Sequence, residues 1–327
     1  MQATKDEHTA LDESGDAAVV IKGLVKHYPH PDGGTFAAVD GIDLTVRAGE
    51  IFGILGPNGA GKTTTLEILE GLTRADAGTA RVLGLDPDSD PAAVQRRIGV
   101  QLQSSAYFEF LRLGELLELF GGFYPRQIAA SDLLARVGLT DKSNALVGEL
   151  SGGQAQRFSI VAALVNDPEV VFLDEPTTGL DPQARRSVWG VIRGLADEGR
   201  TVILTTHYME EAETLADRVA VIDHGRIAAI DTPARLMEEF GSGTTVAFTT
   251  DNAVAPEELT NLDGVTDIRQ RVNGVVTHEL AVSAADTAVS ALYRWAGATG
   301  ALMRDVSIRR STLEDVFINL TGSRLRD

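Results

Sequence analysis

The chain has 327 residues, of which 43% are hydrophobic and 23% charged, so it can form one large core or two unequal domains and is too apolar for wholesale disorder. Its formal net charge of −18 would repel a phosphate backbone, which argues against nonspecific nucleic-acid binding. The sequence has no cysteine, which excludes disulfides, thiolate metal sites and thiol catalysis.

The beginning of the chain is polar. Residues 1–16 are acidic and lack an apolar core, so we expect a disordered tail that does not act as a secretory signal. No run of about 18 apolar residues occurs, and we expect no segment to span a bilayer. If the protein transports something, the membrane pathway lies on another polypeptide.

A phosphate-binding loop is predicted between a strand and a helix. The strand is the apolar run IFGILG, and the helix covers residues 63–70. The loop pattern G-x-x-x-x-G-K-[ST] is formed by Gly56, Pro57, Asn58, Gly59, Ala60, Gly61, Lys62 and Thr63. Glycines let backbone N–H groups surround phosphate oxygens, and the helix start adds its positive dipole end.

Three side chains of this loop and helix have the chemistry that a nucleotide needs. Lys62 can reach the β- and γ-phosphates, the Thr63 hydroxyl can ligate Mg²⁺, and Thr64 would lie near the α-phosphate. The loop alone predicts only nucleotide binding, because GTPases, kinases and helicases share it.

A second candidate anion site follows a region of helical spacing over residues 104–150. It is the string Leu150-Ser151-Gly152-Gly153-Gln154, which precedes the apolar helix RFSIVAALVN. Ser151 can cap that helix, and the two glycines leave N–H groups unobstructed for an anion. The same string is also a common loop-and-cap sequence, which is the alternative interpretation.

Two further apolar strands end in groups able to act on a nucleotide. VVFLDE delivers Asp174 and Glu175 to the carboxyl edge of a sheet, and TVILTT precedes His207. Helices between these strands predict right-handed crossovers and a sheet covered on both faces. By themselves, the acids could be solvated at a strand end and the histidine could be structural.

The last part of the chain has a different order of predicted elements. After GSGTT, near residues 241–245, the order of predicted elements is β-α-β-β-α-β, which is typical of a ferredoxin-like module. A final helix then places Leu313, Val316, Phe317 and Leu320 on one face.

Taken in order, GPNGAGKTT and LSGGQ resemble the Walker A and signature motifs of ABC ATPases, over about residues 19–237. The strings EPTTGLDPQARRSVWGVI and STLEDVFINLTG are similar to the ABC-2, or daunorubicin-resistance (DrrA-like), group. This resemblance implies an α/β P-loop NTPase cassette over residues 17–240. It would have a RecA-like core, an antiparallel β subdomain and a helical subdomain at about 104–150, followed by a small α+β domain over 241–327.

The resemblance also implies roles for single residues. Asp174 and Thr63 would hold Mg²⁺, Glu175 would polarise the attacking water, and His207 would contact the γ-phosphate. Gln103 would contact Mg²⁺ or water, and Asp181 belongs to a loop that crosses a dimer interface. The segment Ser151, Gly152, Gly153 and Gln154 would close over ATP held by a second copy. Tyr28 could stack on adenine or be a half-buried strand aromatic.

The expected function is therefore ATP binding and hydrolysis in an exporter. Closure of a head-to-tail dimer, expected to be a homodimer, would drive a separate six-helix ABC-2 permease at the cytoplasmic face of the membrane. Tyr107, Phe108 and Phe110 are apolar for a loop and could face that permease or be buried within the subunit. The alternative is a soluble, non-transport ABC ATPase acting on a protein or ribosomal partner, but ribosome-associated relatives carry two cassettes and this chain carries one.

Overall fold

The computed structural model describes residues 16–30, 33–102, 107–241, 243–273 and 275–322. These residues form two compact units, which divide between Pro233 and Ala234. Each unit has its own buried apolar core, and the two are described in turn.

The first unit contains nine strands and seven helices within the described ranges. The strands are β1 (Ala17–Pro29), β2 (Thr35–Arg47), β3 (Ile51–Leu55), β4 (Ala77–Val82), β5 (Ile98–Gln101), β6 (Val170–Asp174), β7 (Thr201–Thr206), β8 (Arg218–Asp223) and β9 (Arg226–Asp231). The helices are α1 (Lys62–Leu69), α2 (Pro91–Gln95), α3 (Leu113–Gly121), α4 (Ala130–Arg136), α5 (Gly152–Ala162), α6 (Pro182–Asp197) and α7 (Met209–Leu215). Two short 3₁₀ turns, Thr140–Lys142 and Val147–Glu149, lie between α4 and α5.

A six-stranded sheet with the order β5-β6-β7-β3-β8-β9 forms the centre of this unit. Its first five strands are parallel, and β9 pairs antiparallel with β8. Strands β3, β6 and β7 are buried at every position, as expected for apolar runs covered on both faces. Because the three strands are adjacent and parallel, their carboxyl ends lie along one edge.

The two faces of the central sheet belong to different apolar clusters. Phe172 and Ile203 pack into a cluster with the antiparallel sheet and α1. Leu173 and Leu204, which point the other way, pack into a cluster with the helices α3 to α6. Alternate residues of one strand therefore bind the helical region and the β subdomain to opposite sides of the sheet.

A three-stranded antiparallel sheet, ordered β2-β1-β4, forms the β subdomain. At one end of the β1–β4 pair the backbones come very close. Gly78 has φ 84°, and a Cβ there would lie 2.3 Å from the carbonyl oxygen of Gly23. Only glycine permits this approach.

The second unit is an α+β module. Its strands are β10 (Thr244–Thr250), β11 (Val265–Asn273), β12 (Val275–Val282) and β13 (Met303–Arg310), and its helices are α8 (Pro233–Phe240), α9 (Pro256–Thr260), α10 (Ala285–Thr299) and α11 (Leu313–Thr321). All neighbouring strands are antiparallel, in the order β11-β12-β10-β13. Apolar residues of β10 and β12 pack against α9 and α10 to form the core.

Helix α8 lies with the second unit, although the sequence assigns residues up to 240 to the cassette. The side-chain amide of Asn319 in α11 donates a hydrogen bond to the carbonyl of Phe240, at 2.9 Å. A Cβ at Gly241 would lie 2.6 Å from Cβ of Ser311. Both contacts join the end of α8 to the last part of the chain.

Within these described ranges, none of the helices combines the length and the apolar character that crossing a membrane requires.

Candidate functional site

Three candidate segments lie at the carboxyl edge of the central sheet. The phosphate-binding loop follows β3, Asp174 ends β6 and Glu175 comes directly after it, and His207 follows β7. In the parallel registers, Leu55 pairs with Thr206, and Asp174 pairs with Thr205. Ligands of open α/β sheets bind at such an edge.

The loop from Gly56 to Gly61 requires glycine at two positions. Gly61 has φ 101°, and a Cβ there would lie 2.0 Å from the carbonyl oxygen of Ala38. A Cβ at Gly56 would lie 2.4 Å from the carbonyl oxygen of Ile222. Gly59, with φ 81°, meets nothing within 4 Å, so the loop is open on that side.

Lys62 begins helix α1 and is buried. Its Nζ donates hydrogen bonds to the carbonyls of Gly56, at 2.8 Å, and Pro57, at 3.2 Å. Burial lowers the pKa of the Lys62 ammonium, and the carboxylates of Glu175 and Asp174 act in the opposite direction. Nζ lies 3.9 Å from Oε1 of Glu175. The positive charge therefore lies between the loop and the acids.

Asp174 faces the start of helix α1. The hydroxyl of Thr63 donates to Asp174 Oδ2 at 3.1 Å, and the hydroxyl of Thr205 donates to Asp174 Oδ1. A threonine hydroxyl and a carboxylate are hard oxygen donors of the kind that Mg²⁺ prefers. Thr64, the next residue of α1, is half-buried.

Glu175 is the centre of a small polar network. The Thr178 hydroxyl donates to its Oε2 at 3.0 Å, and Nδ1 of His207 lies 3.3 Å from its Oε1. The Glu175 backbone N–H donates to Thr205, with 3.0 Å to the hydroxyl oxygen. The carboxylate and the imidazole can therefore act on the same atoms at the sheet edge.

The start of helix α5 forms the second candidate anion site. Ser151 caps the helix by accepting from the Gln154 N–H at 3.4 Å, and Gln154 Oε1 accepts from the Ser151 N–H at 3.0 Å. Ser151 and Gly152 are exposed. Gly153 contacts helix α6 so closely that a Cβ would lie 2.7 Å from Cβ of Ala184.

The remaining candidates have local contacts of their own. Asp181 caps helix α6, since its Oδ1 accepts from the N–H groups of Gln183 and Ala184, each at 2.9 Å. Tyr28 is a half-buried residue of β1 with its ring 6.1 Å from that of Phe36, so both its stacking and its strand interpretation stay open. Gln103 lies outside the described residues.

Thr205 and Glu70 are site neighbours that the sequence reasoning missed. The Thr205 hydroxyl accepts a hydrogen bond from the Glu175 backbone N–H and donates one to Asp174. In the sequence, this role is indicated only by the position of a polar residue at the end of an apolar strand. Burial raises the pKa of the Glu70 carboxyl to about 8, and the nearby carboxylates of Asp174 and Glu67 add to the rise. No sequence pattern predicts that burial.

Residues 39–178 match the ABC transporter family. The chain is 39% identical to the daunorubicin resistance ATP-binding protein DrrA2 of Streptomyces coeruleorubidus, over 94% of this chain and 96% of that protein. The chain belongs to the ABC ATPases of the daunorubicin-resistance group.

Other relatives of this ABC ATPase are similar over most of its length. The Nod factor export ATP-binding protein I of Burkholderia lata is 40% identical, over 88% of this chain and 93% of that protein. Among solved structures, a dimeric, post-hydrolysis state of the ATP-binding cassette MJ0796, bound to ADP and Pi, has a TM-score of 0.59. It is 25% identical, over 65% of this chain and 98% of that one.

The family, the α/β cassette fold and the ATPase activity predicted from the sequence are thereby confirmed. The expectation that the nucleotide is ATP agrees with an ATP-binding family.

Proposed function

We propose that this ABC ATPase is the ATP-hydrolysing subunit of an exporter and drives a separate permease. The observation that carries the proposal is the group of Lys62, Thr63, Asp174, Glu175 and His207 at one edge of the sheet. It combines a buried cation beside an open glycine loop with a carboxylate and an imidazole 3.3 Å apart. Hydrolysis needs these parts: charge to hold the phosphates, and a base to orient water.

In the proposed reaction, Glu175 accepts a hydrogen bond from a water molecule that attacks the γ-phosphorus. The new P–O bond forms as the bond to the β–γ bridging oxygen breaks, which gives ADP and inorganic phosphate. Lys62 stabilises the charge on the phosphate oxygens, and His207 holds the γ-phosphate. Thr63 and Asp174 would hold Mg²⁺, which neutralises phosphate charge when bound. Gln103 is proposed to contact Mg²⁺ or water, as the family resemblance implies.

The proposal requires two copies of the chain. Ser151, Gly152, Gly153 and Gln154 would close over ATP bound to the loop of the other copy, next to its Tyr28 and near the segment that ends in Asp181. The exposed start of α5 supports this arrangement, because the N–H groups of a first helical turn, here those of Gly152 and Gly153, have no acceptor within the helix and can receive a phosphate. Two of the similar solved cassettes are dimeric.

An apolar surface on the helical region supports docking to a membrane protein. Phe108 is 50% exposed, Phe110 76% and Phe123 73%. Beside them, Tyr107 and Phe120 line a hollow of about 320 Å³. Exposed aromatic groups of this kind mark interaction sites. We propose that a six-helix permease of the ABC-2 type docks here, with the ABC ATPase at the cytoplasmic face of the membrane.

Export is the proposed direction because the similar proteins are named for resistance and export. These names give no support to a soluble ABC ATPase that acts on a ribosome. Copurification with the membrane protein of a neighbouring reading frame would support export, whereas cosedimentation with ribosomes would contradict it.

The Glu175→Gln variant tests the hydrolytic role. We expect ATP affinity within about threefold of wild type, turnover lower by about 100-fold or more, and an ATP-dependent dimer that accumulates. Phosphate release and light scattering with Mg²⁺ and ATP measure these effects. Lys62→Ala, which removes the phosphate contact, is the binding-deficient control. Turnover of Glu175→Gln at the wild-type rate would contradict the proposal.

A further inference from the structure

Glu211 is a buried acid close to the site but outside the motifs described above. It lies in the first turn of α7, four residues after His207, and its side chain is fully buried. A single oxygen, Oε1, accepts two hydrogen bonds: from the Thr177 hydroxyl at 2.8 Å and from the Trp189 indole N–H at 2.9 Å.

The two donors lie on either side of the loop formed by residues 178–181. Thr177 precedes that loop, and its carbonyl accepts from the Leu180 N–H at 3.2 Å. Trp189 lies on α6, the helix that Asp181 caps. Glu211 thus joins Thr177, the residue before the 178–181 loop, and Trp189, in the helix after that loop, to the helix that follows His207.

Thr177 also stands next to the hydrolytic acid. It is two residues after Glu175, and its neighbour Thr178 donates to Glu175 Oε2 at 3.0 Å. A shift of Thr177 would move Glu175 relative to His207. The separation of those two side chains, 3.3 Å, therefore depends on how Thr177 is held.

Packing alone does not account for a carboxyl group at this place. The other oxygen of Glu211, Oε2, is buried as well. Burial raises the pKa of Glu211, while the hydroxyls of Thr206 and Thr177 and the indole of Trp189 act in the opposite direction. An apolar side chain of similar size would fill the space without the cost of burying a carboxyl.

We propose that Glu211 is a positioning residue for hydrolysis. By aligning Thr177 and Trp189, it sets the placement of Glu175 against His207 and the orientation of residues 178–181 toward the second copy. This inference rests on the proposed roles of Glu175 and His207. Glu211 is fully buried and its hydrogen-bond donors are Thr177 and Trp189, so we expect its substitution to change turnover rather than ATP binding.

The first test compares Glu211→Gln with Glu211→Met. Both side chains are unbranched and similar in length, but only glutamine keeps an acceptor oxygen. We expect Glu211→Met to lower kcat about tenfold or more, because small displacements of reacting groups are costly, with KM and ATP affinity within about twofold of wild type. Glu211→Gln should keep at least about a third of kcat. A wild-type kcat for Glu211→Met, or equal losses in both variants, would overturn the proposal.

A second pair of variants keeps the test decisive if Glu211→Met does not fold. Thr177→Val and Thr201→Val each delete one hydroxyl from a buried threonine. The Thr201 hydroxyl accepts from the Gly49 N–H at 2.9 Å, at the end of β7 away from the site. We expect Thr177→Val to lower kcat about fivefold and Thr201→Val to leave it unchanged, at comparable losses of thermal stability. Equal effects on kcat would indicate a purely structural role and overturn the proposal.

The wild-type rate of phosphate release in the same assays distinguishes a failure of this inference from a failure of the proposed function. If wild type with Mg²⁺ and ATP releases no phosphate, the proposed function fails. If wild type hydrolyses ATP and the Glu211 and Thr177 variants match it, only the positioning role fails.

Discussion

The backbone at Glu175 has φ 49°, in the left-handed region that residues other than glycine seldom adopt. That conformation costs about 1–2 kcal/mol, so surrounding contacts must hold it. The Glu175 N–H donates to both the carbonyl oxygen of Thr205, at 3.2 Å, and its hydroxyl oxygen, at 3.0 Å. The same hydroxyl donates to Asp174. One threonine therefore fixes both acids.

Thr205→Val should lower turnover more than binding. The two side chains have nearly the same shape, but valine removes the hydroxyl that orients Asp174 and Glu175. We expect kcat to fall about tenfold while the Kd for ATP measured without Mg²⁺ changes less than about threefold. Steady-state kinetics and equilibrium titration measure the two quantities. Thr201→Val, at the other end of β7, controls for the loss of a buried hydroxyl, and equal kcat for both variants would contradict the prediction.

At the scale of elements, the strands formed by continuous apolar runs could be predicted from the sequence. IFGIL, VVFLD and TVILTT are strands β3, β6 and β7, and all of their residues are buried. In the second unit, the alternating pattern of β12 has every second residue buried, as a sheet covered on one face requires. These patterns are local, so one sequence is enough to detect them.

Elements held mainly by backbone pairing could not be predicted in this way. Strand β4 buries only Ala80 and Val82, and its position depends on the close approach of Gly78 to Gly23. The hydrogen bonds of Thr205 and Glu211 likewise join residues that are 22 or more positions apart. Such contacts depend on the sheet order, which periodicity does not encode.

Gly153→Ala should displace one helix end. The added Cβ would lie 2.7 Å from Cβ of Ala184, so α5 and α6 must separate. We expect a loss of stability of about 1–3 kcal/mol, as in overpacked cores, together with weaker ATP-dependent dimerisation. Gly152→Ala is the matched control for stability, because a Cβ there meets nothing within 4 Å. Equal thermal midpoints for the two variants would show that the helix contact is not tight.

At the scale of the whole molecule, the two units contain buried groups with opposite responses to pH. In the second unit, His278 Nε2 lies 2.7 Å from the Thr250 hydroxyl, which itself donates to the Asn252 carbonyl. Nε2 must therefore carry the proton and donate. Nδ1 is then the acceptor that faces the Gln270 amide nitrogen at 3.1 Å. Burial lowers the pKa of His278, because the protonated imidazolium loses its solvation in the protein interior.

The signs of the two effects follow from linkage. Unfolded His278 has a pKa of about 6.5, above its folded value, so the second unit loses stability as the pH falls below about 6.5. Glu70, in the first unit, has a folded pKa of about 8. Its unfolded pKa is about 4.3, so its contribution to stability is complete below that pH and is lost as the pH rises toward the folded value.

Between pH 5.5 and pH 7.5, the thermal unfolding midpoints of the two units should therefore shift in opposite directions. The chain has two tryptophans, Trp189 in the first unit and Trp295 in the second. In Trp295→Phe protein, emission from Trp189 should report a midpoint that falls by a few degrees as the pH rises. In Trp189→Phe protein, Trp295 should report a midpoint that rises. His278→Gln keeps a donor toward Thr250 but does not titrate, so it should abolish only the second shift. A rise that persists in His278→Gln would mean that another group controls the acid sensitivity of the second unit.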